Sequence, residues 1–263
     1  MTPSANEPHP APLGLVPPAA SNGTVTPIDI ARTGTGIADL SAVGEGAAWP
    51  RRVLLTGFEP FGGEPVNPSW TAVQLAVKEP LAGVEFHTAE LPCVFGAALD
   101  ALHAAVEAAD PDVVLCVGQA GGRTDITVER LAINVDDARI PDNAGAQPID
   151  EPVIPGGPAG YFAALPVKAC VAAAREAGVP ASVSQTAGTF VCNHVFYGLM
   201  HLIATERPTL RGGFVHVPYA PEQVLDRAAP ALPAASGAAA LRAIVATAVV
   251  GAPDLRAVGG ATH

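Results

Sequence analysis

Asp112 to Gly118 reads DVVLCVG, five consecutive apolar residues between an aspartate and a glycine. A continuous run of this kind, without the alternation of a half-exposed strand, suits a central strand covered on both faces. Such a strand requires parallel neighbours and helices to cover them, and the sequence offers both. Short apolar stretches at Val53 to Leu55, Val84 to Leu91, Ala181 to Gln185 and Gly213 to Val217 read as strands. Helices are expected from Asn67-Pro68 onward, with Asn67 as N-cap, Pro68 in the first turn and Trp70, Val73, Leu75, Ala76 and Val77 on the apolar side. Further helices are expected near Phe95 to Ala108, with Leu99, Leu102, Ala105 and Val106 on one face, and near Pro166 to Ala177, Phe190 to Thr205, Pro221 to Ala228 and Ala238 to Val249. Ile126 to Val135 reads as one or two short strands, and the Asp-, Pro- and Gly-rich stretch Asp136 to Tyr161 as mainly loop. Strands alternating with helices predict an α/β sandwich on a largely parallel sheet.

Residues 1–50 differ from the rest. They hold eight of the 27 prolines and a single Lys or Arg, Arg32. They read as a mostly disordered extension ahead of a folded domain at 51–263. Across the whole chain, 49% apolar and 15% charged residues suit a sizeable core. A net charge of −11, with Lys78 and Lys168 the only lysines, leaves little from which to build a basic face for nucleic acid or an anionic membrane. No apolar run is long enough to span a bilayer. Met1 to Pro12 lacks the basic and apolar regions of an export signal, so the four cysteines are read as reduced thiols in a cytoplasmic protein.

None of those cysteines shows C-x-x-C spacing, and no His or Cys cluster has zinc-ligand spacing. Cys116 lies inside the apolar strand and Cys170 inside a helix, where packing accounts for both. Cys93 is ambiguous. Cys192 follows a strand and a polar turn, in SQTAGTFVCNH. With Thr189 as N-cap, it falls in the first helical turn, where positive partial charge favours thiolate. A nucleophilic cysteine needs a base. His194, two helical residues on, points away, so it reads as a packing or hydrogen-bonding residue. His201 is too far along the helix. His216, near the end of a probable strand, could face Cys192 from a neighbouring strand. Glu129, among apolar residues in ITVERLAIN, is a candidate to orient that imidazole, unless it pairs with Arg130 or lies on a solvated face. The glycine-rich segments GFEPFGG and GQAGGR lack phosphate-loop spacing, and the two aromatics of the first suit a small apolar ligand.

Taken together, the segments LLTGFEPFGG with Asn67-Pro68-Ser69, GQAGGRTDITVERLAINVDDARIPDNAG, PASVSQTAGTFVCNHVFYGLMH and RGGFVHVPYAPEQ resemble the pyroglutamyl peptidase I family of cysteine peptidases. The resemblance runs from about Val53 to about Gln223. It implies a three-layer αβα sandwich around a mostly parallel, mixed sheet in a single domain. It also implies removal of an N-terminal pyroglutamyl residue from peptides by a Cys-His-Glu triad matching Cys192, His216 and Glu129, without metal or organic cofactor. Phe58 and Phe61 match aromatics that hold the lactam ring. Asn67, Gln119, Ile140 and Val191 match other pocket positions, and Arg139 matches an arginine near the site. Bacterial members are commonly homotetramers. The extension at 1–50 is a departure from the usual short form.

Two other classes compete on the residues alone. A phosphorolytic enzyme of a related sandwich would need cationic groups, for which Arg123 and Arg139 are the candidates. A binding module without catalysis would use the same pocket, and the intact Glu129, Cys192 and His216 speak against it.

Overall fold

The structure is a computed structural model that describes residues 51–260, so the expected extension at 1–50 lies outside the described residues. Its strands are β1 (Arg51–Phe58), β2 (Val84–Leu91), β3 (Val113–Gln119), β4 (Ile126–Glu129), β5 (Leu131–Ile133), β6 (Gly160–Phe162), β7 (Ala181–Ser184) and β8 (Arg211–Val217). Its α-helices are α1 (Pro68–Ala76), α2 (Ala97–Ala109), α3 (Val167–Glu176), α4 (Val191–Thr205) and α5 (Ala234–Val250). Six strands form one sheet in the order β2-β1-β3-β8-β4-β7, and β5 and β6 form a small antiparallel pair. All neighbours in the large sheet are parallel except β4, which runs antiparallel to β8.

Strand alternation distributes the apolar residues over two cores. Val53, Leu55, Val113, Leu115, Val117, Ile126, Val128 and Val215 pack under α1, α3 and α5. Leu54, Val114, Cys116 and Phe214 pack under α2 and α4. Every residue of β3 is buried, as a strand between two helical layers requires. The architecture is the expected three-layer αβα sandwich with a mostly parallel, mixed sheet.

The same alternation positions the chemistry. Gly118 lies two residues beyond Cys116, His216 two beyond Phe214, and Glu129 one beyond the oppositely facing Val128. All three therefore face the layer that contains α4.

Asn67 caps α1 as expected, its Oδ1 accepting the Ser69 N–H at 3.1 Å. The buried side of α1 is Pro68, Ser69, Ala72, Val73 and Ala76, whereas Trp70, Leu75 and Val77 are only partly buried at its margin. On α2, Ala98, Leu102, Val106 and Ala109 are buried, with Leu99 and Ala105 packed against that core. Pro221 to Ala228 is not a full helix. A 3-10 turn ends at Val224, where Gln223 bends back to bond Ala220. The last helix starts at Ala234, four residues before the expected Ala238.

Helix α3 begins without a side-chain cap of its own. Asp254, from the segment after α5, supplies one: its carboxylate accepts the N–H groups of Lys168 at 3.0 Å and Ala169 at 2.9 Å. No helix among the described residues is long and apolar enough to cross a membrane.

Candidate active site

Helix α4 starts at Val191 with Phe190 as N-cap. Thr189 is not the cap. Its hydroxyl donates to the Asp137 carbonyl at 2.7 Å, a tertiary bond that outcompetes local capping. Cys192 still falls in the first turn, where N–H groups have no intrahelical acceptor. Its two successors hold it there. Asn193, fully buried, donates to the carbonyls of Ile133 and Val135 and accepts the Ile133 N–H at 3.0 Å. His194 meets Asp136 Oδ2 through Nδ1 at 2.7 Å and accepts the Gly96 N–H at Nε2. His194 is thus the hydrogen-bonding residue that its spacing from Cys192 implied.

The sulfur of Cys192 rests on Gly118. A Cβ built there would stand 2.7 Å from Sγ and 2.8 Å from Cζ of Phe214. Gly118 is the register partner of His216 on β8, and the Phe214 and His216 ring centroids are 4.9 Å apart. The thiol and the imidazole therefore share one face and one row of the sheet. They do not reach it as expected from neighbouring parallel strands. β4 lies between β7 and β8 and runs against β8, so Cys192 reaches the row only through the turn that follows β7.

Nδ1 of His216 meets Glu129 Oε1 at 2.8 Å, with both residues buried. The partner that shares this carboxylate is not Arg130, which reaches Gln185 and the Gly259 carbonyl instead. It is Arg123, whose Nη1 donates to the same Oε1 at 2.6 Å and also to the Thr127 hydroxyl. Its Nη2 donates to the Thr186 carbonyl, in the turn ahead of α4. Arg123 is therefore engaged and is not a free phosphate ligand.

Burial opposes ionisation throughout the site. It would raise the Glu129 carboxyl, but the hydrogen bond and charge of His216, with the charge of Arg123, hold it below its ordinary value. Burial pushes the His216 imidazole down, against the opposing pull of Glu129, and Arg123 adds to the lowering. Burial pushes the Cys192 thiol well above its ordinary value, with Cys93 and Glu129 adding to the effect and Arg123 opposing it. Desolvation thus opposes the thiolate-favouring helix start expected from sequence. The other three cysteines are buried, with thiols pushed up to about 12, chiefly by burial.

An apolar wall stands beside the thiol. Phe61 packs against Phe190, with ring centroids 6.1 Å apart, and Phe190 meets Phe95 edge-on at 5.4 Å. Ile140 packs close to Gly62, its Cδ1 3.9 Å from where a Cβ would stand. Val191 and Phe58 are buried behind this wall, and Phe58 lies 6.4 Å from Phe214. Gln119, at the end of β3, accepts from Gln223 Nε2 at 3.0 Å. Asn67 uses its side chain locally, bonding Ser69 and the Glu59 carbonyl, and so shapes the loop that carries Phe61. Arg139 is exposed, with no hydrogen bond to another described residue. Arg123 was named from sequence only as a candidate phosphate ligand, and Phe190, Asn193 and Gln223 were not singled out. Only Phe190 carried a signal, as an aromatic at the start of the nucleophile's helix. Among the described residues no group of three or more His, Cys, Asp or Glu side chains could hold a metal ion.

A three-layer α/β fold with a cysteine at a helix start, the one of its four cysteines that is not fully buried, beside a buried histidine–carboxylate pair, falls in the class of cysteine-type hydrolases. Residues 51–252 match the family model for pyroglutamyl peptidase. The chain is 69% identical over 214 residues to a pyrrolidone-carboxylate peptidase of Streptomyces coelicolor, an alignment covering 81% of this chain and 99% of that one. It is 56% identical to the protein of that name from Erwinia tasmaniensis, covering 81% and 100%. The crystal structure of pyroglutamyl peptidase I from Bacillus amyloliquefaciens superposes with a TM-score of 0.76 at 49% identity, over 78% of this chain and all of that one. A mutant pyrrolidone carboxyl peptidase from the hyperthermophile Pyrococcus furiosus gives 0.73 at 38% identity, over 75% and 98%. The chain belongs to the pyroglutamyl peptidase family and is a hydrolase, a cysteine-type omega peptidase.

Proposed function

We propose that this enzyme removes an N-terminal pyroglutamyl residue from peptides through a thioester on Cys192, with His216 as proton carrier and Glu129 as its orienting partner. The observation that carries the reading is the 2.8 Å contact of His216 Nδ1 with Glu129, on the row where the Cys192 sulfur rests against Gly118. The names of the relatives support the substrate class.

His216 takes the thiol proton as sulfur attacks the pyroglutamyl carbonyl. Glu129 accepts the Nδ1 proton in a hydrogen bond, which leaves Nε2 as the basic atom and stabilises the imidazolium that forms. The Cys192 N–H, free at the helix start, offers a donor to the oxyanion, and one such donor is worth about 3 kcal/mol of barrier. The tetrahedral intermediate collapses as the imidazolium gives its proton to the leaving amine. Water, activated by His216, then attacks the thioester and releases pyroglutamate and the thiol. The lactam carries no charge, which suits a wall of Phe61, Phe190 and Ile140 with few polar groups. No step calls for a metal or organic cofactor.

On the same reading, residues 51–263 form the catalytic domain of a cytoplasmic homotetramer, and light scattering of the purified chain tests the oligomeric state. Turnover of pyroglutamyl-7-amino-4-methylcoumarin tests the activity. Wild type is expected to release the fluorophore without added phosphate or metal and to be inactivated by iodoacetamide. Release that depends on phosphate, or survives alkylation, would contradict the reading.

A further inference from the structure

Arg123 stands at the end of a loop built to deliver it. Gly121 lies under the Tyr219 ring, where a Cβ would come within 2.0 Å of Cζ, and Gly122 has φ +90°. Only glycine allows this close approach and this turn. From there one guanidinium, about a quarter exposed, reaches the fully buried Glu129, the Thr127 hydroxyl and the Thr186 carbonyl. Thr127 is the register partner of His216, and Thr186 belongs to the turn that leads into α4 and Cys192. A planar fork of donors can hold these groups at once, whereas a point-like ammonium cannot.

We propose that Arg123 is a positioning residue of the relay, fixing the Glu129 carboxylate against His216 and tying it to the turn that presents Cys192. This rests on the Cys-His-Glu reading above. It adds an electrostatic role. Arg123 and His216 share one oxygen of Glu129, so the guanidinium offsets the carboxylate's pull toward imidazolium. Among the described residues, the charged groups that act on His216 are Glu129 and Arg123. Cys192 faces it from α4, its sulfur resting on Gly118 of β3. Removing the cation should therefore make His216 easier to protonate.

The test is the pH profile of kcat/KM for pyroglutamyl-7-amino-4-methylcoumarin in wild type, Arg123→Lys and Arg123→Gln, with Cys192→Ser and His216→Ala alongside. The Gln variant is expected to move the acid limb up by about one pH unit. The Lys variant, which keeps charge but loses the fork, is expected to leave the limb in place and lower kcat about tenfold to a hundredfold at similar KM. An unmoved limb in a folded Gln variant, or an unchanged kcat in the Lys variant, would overturn the proposal. Should the Gln variant not fold, the Lys variant's kcat alone decides. Turnover surviving in Cys192→Ser or His216→Ala would instead overturn the triad, whatever Arg123 does.

Discussion

Gly118 and Cys192 compete for one space: a methyl group on Gly118 would lie 2.7 Å from the Cys192 sulfur, with Phe214 as close on the other side. Phe214 is fully buried and cannot move aside, so Gly118→Ala must displace the thiol from the row it shares with His216. The variant should lose about a hundredfold in kcat, as small misplacements of reacting groups do. Overpacking should also cost about 1–3 kcal/mol of stability. Steady-state kinetics with thermal unfolding on the same sample would check both.

Acid should inactivate and destabilise together. The His216 pKa is lowered by burial, and that of Glu129 is lowered overall by its partners despite burial. A depressed pKa means that the unfolded chain binds the proton more readily. The contribution of His216 is thus complete above about pH 6.5 and that of Glu129 above about pH 4.3, and each is lost as pH falls through the lower folded value. The acid limb of kcat/KM should accordingly lie below pH 6.5, the ordinary histidine value, to within about half a unit. Because the Cys192 thiol is pushed up, activity should not rise near pH 8.5, where a free cysteine ionises. A profile that climbs there would show a thiolate nucleophile set by its own ionisation.

Alkylation should be selective. Cys192 keeps part of its surface, and Cys93, Cys116 and Cys170 are buried. Native protein treated briefly with iodoacetamide should carry one adduct, on the peptide containing Cys192, and unfolded protein should carry four. Peptide mass spectrometry would read this, and early labelling of Cys93 would contradict the packing around it.

Asp254→Ala should separate stability from chemistry. The carboxylate caps α3 from the far end of the chain, on the face of the sheet opposite α4. Loss of a cap costs about 1 kcal/mol, or about 2–4 °C in Tm for a domain of this size. Turnover at 25 °C should stay within twofold of wild type. An unchanged Tm would mean that solvent caps α3 equally well.

Asn193→Ala removes three hydrogen bonds between the nucleophile's helix and the segment around Ile133. Buried backbone groups left without partners cost about 1–3 kcal/mol each. The variant should unfold several degrees earlier and lose kcat as Cys192 gains freedom, with a smaller change in KM.

The parts of the fold that were legible in sequence are those set by short-range physics. The apolar run of β3 announced its double burial, and Asn67-Pro68 marked the start of α1 because cap and fixed φ are local properties. The direction of β4 was not legible, since alternation of apolar residues reads the same in either sense. Thr189 was the better intrinsic cap, yet Asp137, 52 residues earlier, claimed its hydroxyl. The triad residues stood out by type and context, but the pairing of Glu129 with Arg123 did not. It depends on a loop whose course is set by Tyr219, nearly a hundred residues further on. Burial of the thiol was likewise a property of the assembled layers, which a reading of the helix start alone does not contain.

The covalent intermediate is the most direct test. Enzyme mixed with excess pyroglutamyl substrate and quenched in acid within the first turnovers should carry one pyroglutamyl group, by mass, on the peptide containing Cys192, labile to hydroxylamine as a thioester is. Turnover by a Cys192→Ser enzyme at the wild-type rate, or an acyl group found on any other residue, would contradict the account.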